Sequence, residues 1–299
     1  MTKIIGKYVL GRKLNSGANS EVWEASYEET KYALKYFILT KVPEKNAQLL
    51  RFFDNQRRTL SRLNHPNIIT LHEASDREVL RKENGEEIPV VYLATELATQ
   101  GDLFDCIARM GSFNEMEARH YFKVLVDALE YIHFQGHAHR NLKLENLLLT
   151  SDYNLKVAGF GYSNLDIAYN PYMCISTCDY HAPEIYAGIP YSGAKVDLFA
   201  LGVILFIMVA GHSPFKRAEI SNAWYKAFHL YNNKFWIQVE AKRKQAKFSN
   251  EFKDLINKLL SFKAEERPSI DEIKKHSWCK GLEMTLVKEE MNKRLKKLY

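Results

Sequence analysis

The chain has 299 residues, 46% hydrophobic and 26% charged, the ordinary balance of a soluble globular protein with a sizeable core. Formal net charge is +6, and the last twenty residues, with six basic and three acidic side chains, carry half of it. The remainder is too thinly spread for a nucleic-acid surface, so no nucleic-acid partner is expected. The opening MTKIIGKYVLG has no apolar core of a secretory signal, and the longest apolar run, Leu198 to Ala210, falls short of the ~20 residues that span a bilayer. It reads as a buried core helix. Four cysteines (Cys106, Cys174, Cys178, Cys279) are too few and too scattered for a disulfide framework, and Cys174 and Cys178 have no second pair or histidine cluster with which to bind zinc. An intracellular, cytoplasmic setting without a membrane span is the expectation.

In chain order, Tyr8 to Leu14, Glu21 to Ser26 and Lys31 to Phe37 are short β-type runs separated by turn residues. Gln48 to Asn64 places Leu49, Phe53, Leu60 and Leu63 at helical spacing. Asn84-Gly85 between Glu78-Val79-Leu80 and Ile88 to Tyr92 predicts a hairpin. After Gly101 the pattern turns helical. Asn114 with Glu117 three residues on forms a capping-box signature, Ser249 opens an amphipathic run to Leu260, and Ser269 with Glu272 marks a third helix start. Composition and period thus predict an α+β chain: a small β-rich lobe with one main helix, then a larger helical lobe.

Several short segments stand out along the chain. Asn15-Ser16-Gly17-Ala18-Asn19-Ser20-Glu21-Val22 lies between the first two strands; by itself it is an ordinary hairpin turn. Tyr32-Ala33-Leu34-Lys35 puts a lysine on a strand, where solvent would be its usual partner. His65-Pro66-Asn67 follows the first helix. His139-Arg140-Asn141-Leu142-Lys143-Leu144-Glu145-Asn146 precedes Ala158-Gly159-Phe160-Gly161 by a short hairpin, and Ala182-Pro183-Glu184 comes after that.

In order and spacing, from about Tyr8 to Trp278, these segments resemble those of protein kinases, with a softer likeness to the calcium/calmodulin-dependent and AMP-activated branch of the serine/threonine enzymes. The resemblance implies a bilobal kinase fold, divided as an N-lobe over residues 1–96, a hinge over 97–101, a C-lobe over 102–280 and a basic amphipathic tail over 281–299. It implies that Gly17 belongs to the phosphate-cradling loop, with Asn15 and Ser20 where the family has its other glycines. Lys35 would reach the nucleotide phosphates. Val22, Ala33 and Leu148 would sandwich adenine, Thr95 would be the gatekeeper, Glu96, Leu97 and Ala98 would line the inter-lobe segment, and Asp102 would reach a ribose. Leu60, His139 and Phe160 would stack in the regulatory spine, Asp197 would support the catalytic loop, and Arg267 would pair with Glu184.

Four departures coincide. The phosphate loop is depleted. Nine residues before His65, where the family has the glutamate that pairs with the strand lysine, stands Gln56; Asp54 and Glu44 lie off that helix face. Asn141 occupies the position of the catalytic aspartate. Gly159 occupies that of the magnesium-binding aspartate, leaving Asn146 as the retained metal ligand beside Lys143. A carboxamide orients a hydroxyl but accepts no proton, and glycine offers a cation nothing. The expectation is a pseudokinase, an allosteric or scaffolding module with a protein partner, weak ATP binding and doubtful magnesium binding. The alternatives are an active serine/threonine kinase in which an acid such as Asp179 helps Asn146 hold metal, and deliberate inactivation at Asn141 and Gly159. Tyr169, Tyr172, Ser176, Thr177 and Tyr180 precede Ala182, and Arg140 would pair with a phosphate there, Ser176 or a tyrosine being the better switch than Thr177. Leu282, Leu286, Met291, Leu295 and Leu298 suggest an amphipathic tail helix packed on the larger lobe.

Overall fold

The computed structural model describes residues 3–17, 20–165, 178–188, 190–241, 247–281, 289, 293 and 294. Ala18, Asn19, Tyr169, Tyr172, Cys174, Ser176, Thr177 and the apolar tail residues Leu282, Leu286, Met291, Leu295 and Leu298 lie outside them.

The N-terminal part is a closed six-stranded barrel in the order β1-β2-β3-β4-β6-β5. Its strands are β1 (Lys3–Ile5), β2 (Tyr8–Ser16), β3 (Ser20–Tyr27), β4 (Thr30–Ile38), β5 (Leu71–Arg81) and β6 (Glu87–Glu96), all paired antiparallel. β1 pairs with both β2 and β5 and is a three-residue strand that sequence period alone does not reveal. Alternation along β4 buries Leu34 and Tyr36 inside the barrel with Tyr8, Leu80 and Tyr92. Ala33 and Lys35 therefore face the opposite way. The turn at Asn84-Gly85 joins β5 to β6 with Leu80 opposite Ile88, and Gly85 holds a positive φ of 81°.

Between β4 and β5 runs helix α1 (Pro43–Leu60). The apolar period predicts a helix from Gln48 to Asn64; the observed one starts five residues earlier and ends four earlier. Pro43 enters the first turn, where its missing N–H costs nothing. At the other end the Ser61 amide turns back to Arg57 and Thr59, and Leu63 is buried as a core residue beyond the helix.

The larger part is helical: α2 (Leu103–Met110), α3 (Glu115–Phe134), α4 (Pro183–Ala187), α5 (Gly193–Ala210), α6 (Ala223–Leu230), α7 (Asn232–Ala241), α8 (Asn250–Leu259) and α9 (Ile270–Lys275). Both capping boxes form, at Asn114/Glu117 and at Ser269/Glu272, and Ser249 caps α8. α5 contains the apolar run and is buried from Val196 to Val209, the axis of the helical core. Short strand pairs, β7 (His137–Ala138) with β10 (Asn164–Leu165) and β8 (Leu147–Leu149) with β9 (Leu155–Val157), set two loops at the junction of the parts. Cys106 and Cys279 are buried free thiols. From the tail, the Arg294 guanidinium donates to Glu117 at 2.6 Å and to the Met110 and Ser112 carbonyls at 3.1 Å each.

Candidate active site

The roof of the cleft is the outer face of β3, β4 and β6. Val22 sits opposite Lys35 and Ala33 opposite Thr95, whose hydroxyl donates to the Ala33 carbonyl at 3.3 Å. Val22, Ala33, Thr95, Ala98 and Leu148 are half-buried, as expected of a concave lining. Gly17 donates its amide to the Ser20 carbonyl at 2.8 Å, closing the turn between β2 and β3. Glu96 is the last residue of β6, and its carboxylate is engaged: Lys156 on β9 reaches it at 2.8 Å and the Thr70 amide at 2.8 Å. Asp102 caps α2 through the Asp105 amide at 2.9 Å, and burial pushes its carboxyl above the usual range against that bond.

Lys35 projects from β4 toward α1. Its ammonium donates to Gln56 Oε1 at 3.1 Å, and the rings of Phe52 and Phe37 stand 5.0 and 5.1 Å away. Gln56 is buried, so the pair is sheltered from water. An amide carries no formal charge to offset the ammonium, and burial lowers the Lys35 pKa from 10.5 to about 8. Asp54, off that face, binds Arg57 and Arg58 instead.

The floor is the loop after β7, held from below by Asp197 on α5. Asp197 accepts from the His139 and Arg140 amides at 2.8 and 2.7 Å and meets His133 Nε2 at 3.0 Å. These bonds fix Arg140 at a φ of +61°, a strained conformation for a residue that carries a Cβ. The His139 ring contacts Phe160 at 4.6 Å between centroids, and Leu60, His139 and Phe160 are all buried. His139 Nδ1 accepts from the Asn141 amide while Nε2 faces the Ala158 carbonyl at 2.9 Å, which assigns the proton to Nε2 of a neutral ring. Burial lowers its pKa in the same sense.

Asn141 directs its amide nitrogen toward the Gly159 carbonyl at 3.4 Å, and Asn146 Nδ2 donates to the Asn141 carbonyl at 2.7 Å. The Asn146 carbonyl accepts from the Ala158 amide at 2.8 Å. Lys143 Nζ lies 3.7 Å from Glu145. Gly159 adopts a left-handed φ of +86°. Asp179 lies 3.6 Å from Lys216. Among the described residues no group of three or more His, Cys, Asp or Glu is gathered as a metal site.

Three residues that the motif spacing does not single out shape the site. Phe52 lays its ring where a side chain at Gly161 would have to stand, and also against Tyr162 at 5.0 Å. Asn55 donates to the carbonyls of Gly161 (2.9 Å) and Ser163, tying α1 to the segment after Phe160. Glu21 gathers Lys13, Trp23 and Tyr36 at the root of the glycine-poor loop. Burial alone would raise its carboxyl, but those hydrogen bonds outweigh it and hold the pKa near 2. Glu21 faces Tyr36 across the β3–β4 register, and only the two-residue spacing of Glu21 and Trp23 on one strand could have hinted at this cluster in the sequence.

Residues 8–279 match the protein kinase domain family. CBL-interacting protein kinase 24 of Oryza sativa subsp. japonica is 33% identical over 282 residues, 93% of this chain and 57% of that protein. CBL-interacting serine/threonine-protein kinase 7 of Arabidopsis thaliana is 34% identical over 286 residues, covering 93% and 61% respectively. The "Probable serine/threonine-protein kinase MARK-B" of Dictyostelium discoideum is 33% identical over 308 residues, 97% of this chain and 38% of that protein. The chain thus spans under two thirds of the length of these relatives.

Proposed function

We propose that this chain, which belongs to the protein kinase family, keeps the fold as an allosteric or scaffolding module and transfers phosphate poorly or not at all. One observation carries the reading. At the six positions that in the family hold the phosphates, the metal and the acceptor hydroxyl stand Lys35, Gln56, Asn141, Lys143, Asn146 and Gly159, two cations and no carboxylate. Phosphoryl transfer asks of a protein positioning and charge stabilisation. Without a proton acceptor at Asn141 the expected loss is ~10²–10⁴ in rate, and Gly159 supplies nothing to anchor a divalent cation. Losses within such a unit do not simply multiply, so a trace of turnover is compatible with the proposal.

The apolar lining of Val22, Ala33 and Leu148, with Thr95 and Lys35, supports weak binding of an adenine nucleotide. Residues 1–96, 97–101, 102–280 and 281–299 serve in this reading as N-lobe, hinge, C-lobe and tail of an intracellular, cytoplasmic signalling component. Its effect would pass to a protein partner. Two of the relatives are named for interaction with CBL, which makes a protein of that kind the first partner to test.

A second reading, an active serine/threonine kinase, draws on the relatives named as kinases and on the intact Lys35–Gln56 and His139–Phe160 contacts. The acid it would enlist, Asp179, has Lys216 as its neighbour. A radiolabelled phosphotransfer assay with magnesium or manganese separates the two. Incorporation no greater than that of Lys35→Ala is the expected result. Turnover in the usual kinase range of ~1–100 per second, abolished by Lys35→Ala, overturns the proposal.

A further inference from the structure

We infer that the carboxamide of Asn146 takes the space that a side chain at position 159 would need, and that, with no acid at the family's metal-holding positions, magnesium opposes the binding of a nucleoside triphosphate instead of assisting it. The inference rests on the nucleotide-binding reading above and deepens it by naming the ligand form the cleft accepts, a triphosphate free of metal.

The first ground is steric. A Cβ at Gly159 would stand 2.4 Å from Cγ and 2.5 Å from Nδ2 and Oδ1 of Asn146, closer than non-bonded atoms pack in an interior. The amide is not idle there. Its Nδ2 is spent on the Asn141 carbonyl at 2.7 Å, and its residue is fixed again by the Ala158 amide on its main-chain oxygen. The +86° φ of Gly159 adds backbone strain for any side chain, although aspartate tolerates a left-handed φ better than most residues. An acid placed here would have to displace the amide and break its bond before it could hold a cation, and without one a cation is offered a neutral carbonyl oxygen.

The second ground is electrostatic. Magnesium gives up its hydration reluctantly and is normally retained by carboxylates plus phosphate. Here the positions that in the family serve phosphate and metal offer two ammonium groups, Lys35 and Lys143, and the N–H of Asn141; Glu145, 3.7 Å from Lys143, is engaged by that cation. All three favour anionic oxygen and repel a cation. A fully charged triphosphate supplies what Lys35 lacks, whereas magnesium in solution neutralises part of that charge and carries a hydrated ion that no residue of the cleft holds.

The test is calorimetric titration of the full chain with ATP, first in EDTA and then in excess magnesium, with adenosine as the uncharged control. The expected result is ATP binding in EDTA that weakens about tenfold in magnesium, with adenosine unchanged. Equal or tighter ATP binding in magnesium overturns the inference while leaving nucleotide binding in place. Adenosine binding without any ATP binding also overturns it. Failure of both ligands overturns the nucleotide reading itself.

Thermal unfolding of two variants tests the filled position separately. Gly159→Ala should melt below the parent, and Asn146→Ala/Gly159→Ala should recover part of the loss, since only the steric share responds to removal of the amide. A Gly159→Ala variant that melts like the parent, or a loss that Asn146→Ala leaves untouched, overturns the occlusion.

Discussion

Buried charge is treated differently beneath the helical lobe and inside the cleft. Beneath the lobe, Arg267 is fully enclosed and donates twice to Glu184, at 2.6 and 2.7 Å, and again to the carbonyls of Lys195 and Ser261. Asp197 is almost as deep, and its two oxygens meet two amides and His133. Both of these ions have their complements. In the cleft, Lys35 has an amide, two rings and no anion. Enclosed ions that brace the lobe need mutual satisfaction, because an unpaired one costs several kcal/mol. The phosphate and metal positions of the cleft carry no acid, and the fold is complete without one. The ions that brace the lobe and the positions that the family uses for chemistry are thus separate sets in one molecule.

The largest effect expected from breaking this contrast is at Arg267. Arg267→Ala leaves Glu184 enclosed without a counter-ion and should destabilise by about 3–5 kcal/mol, read by chemical unfolding. The cleft should respond with the opposite sign. Lys35→Met removes a desolvated cation and should stabilise the ligand-free chain by about 2 kcal/mol at neutral pH. The pH dependence follows from linkage. Lys35 has a folded pKa near 8, below its unfolded value of 10.5, so the unfolded chain binds more protons between those values. The parent therefore gains stability from about pH 8 to 10.5, and its deficit against Lys35→Met shrinks over that window.

Smaller still is Glu21, where barrel and cleft meet. Its folded pKa lies near 2 against 4.5 unfolded, so its contribution is complete above about pH 4.5 and fades as pH falls toward 2. Glu21→Gln should cost about 1–2 kcal/mol at pH 7 and flatten that part of the acid-unfolding curve. Least of the four, Asn55→Ala should cost about 1 kcal/mol and raise amide exchange after Phe160 more than in the barrel.

Much of this was legible in the residues, because periodicity and motif spacing are properties of the chain itself. Asn114 and Ser269 announce their caps through a glutamate three residues on, and counting back from His65 reaches Gln56, which the structure sets 3.1 Å from Lys35. The limits of α1 were less readable. Leu63 continues the apolar period beyond the last turn because the core, and not the helix, wants it. The crowding of Asn146 against Gly159 was hidden for another reason: it depends on one side-chain rotamer meeting a backbone thirteen residues away, and composition encodes neither. Phe52 over Gly161 and Asn55 on its carbonyl are likewise contacts between elements, without a local signature.

The three residues of β1 have a consequence for how the N-terminal part meets other proteins. By pairing with Tyr8, Val9 and Leu10 of β2 on one side and with Leu80 and Arg81 of β5 on the other, Lys3–Ile5 closes the barrel at this end and covers those stretches of both edges. A visiting peptide cannot extend the sheet there through main-chain bonds, the mode in which sequence matters least. Whatever docks at that end of the barrel must read its side chains, and so must be chosen for what it carries and not for being extended.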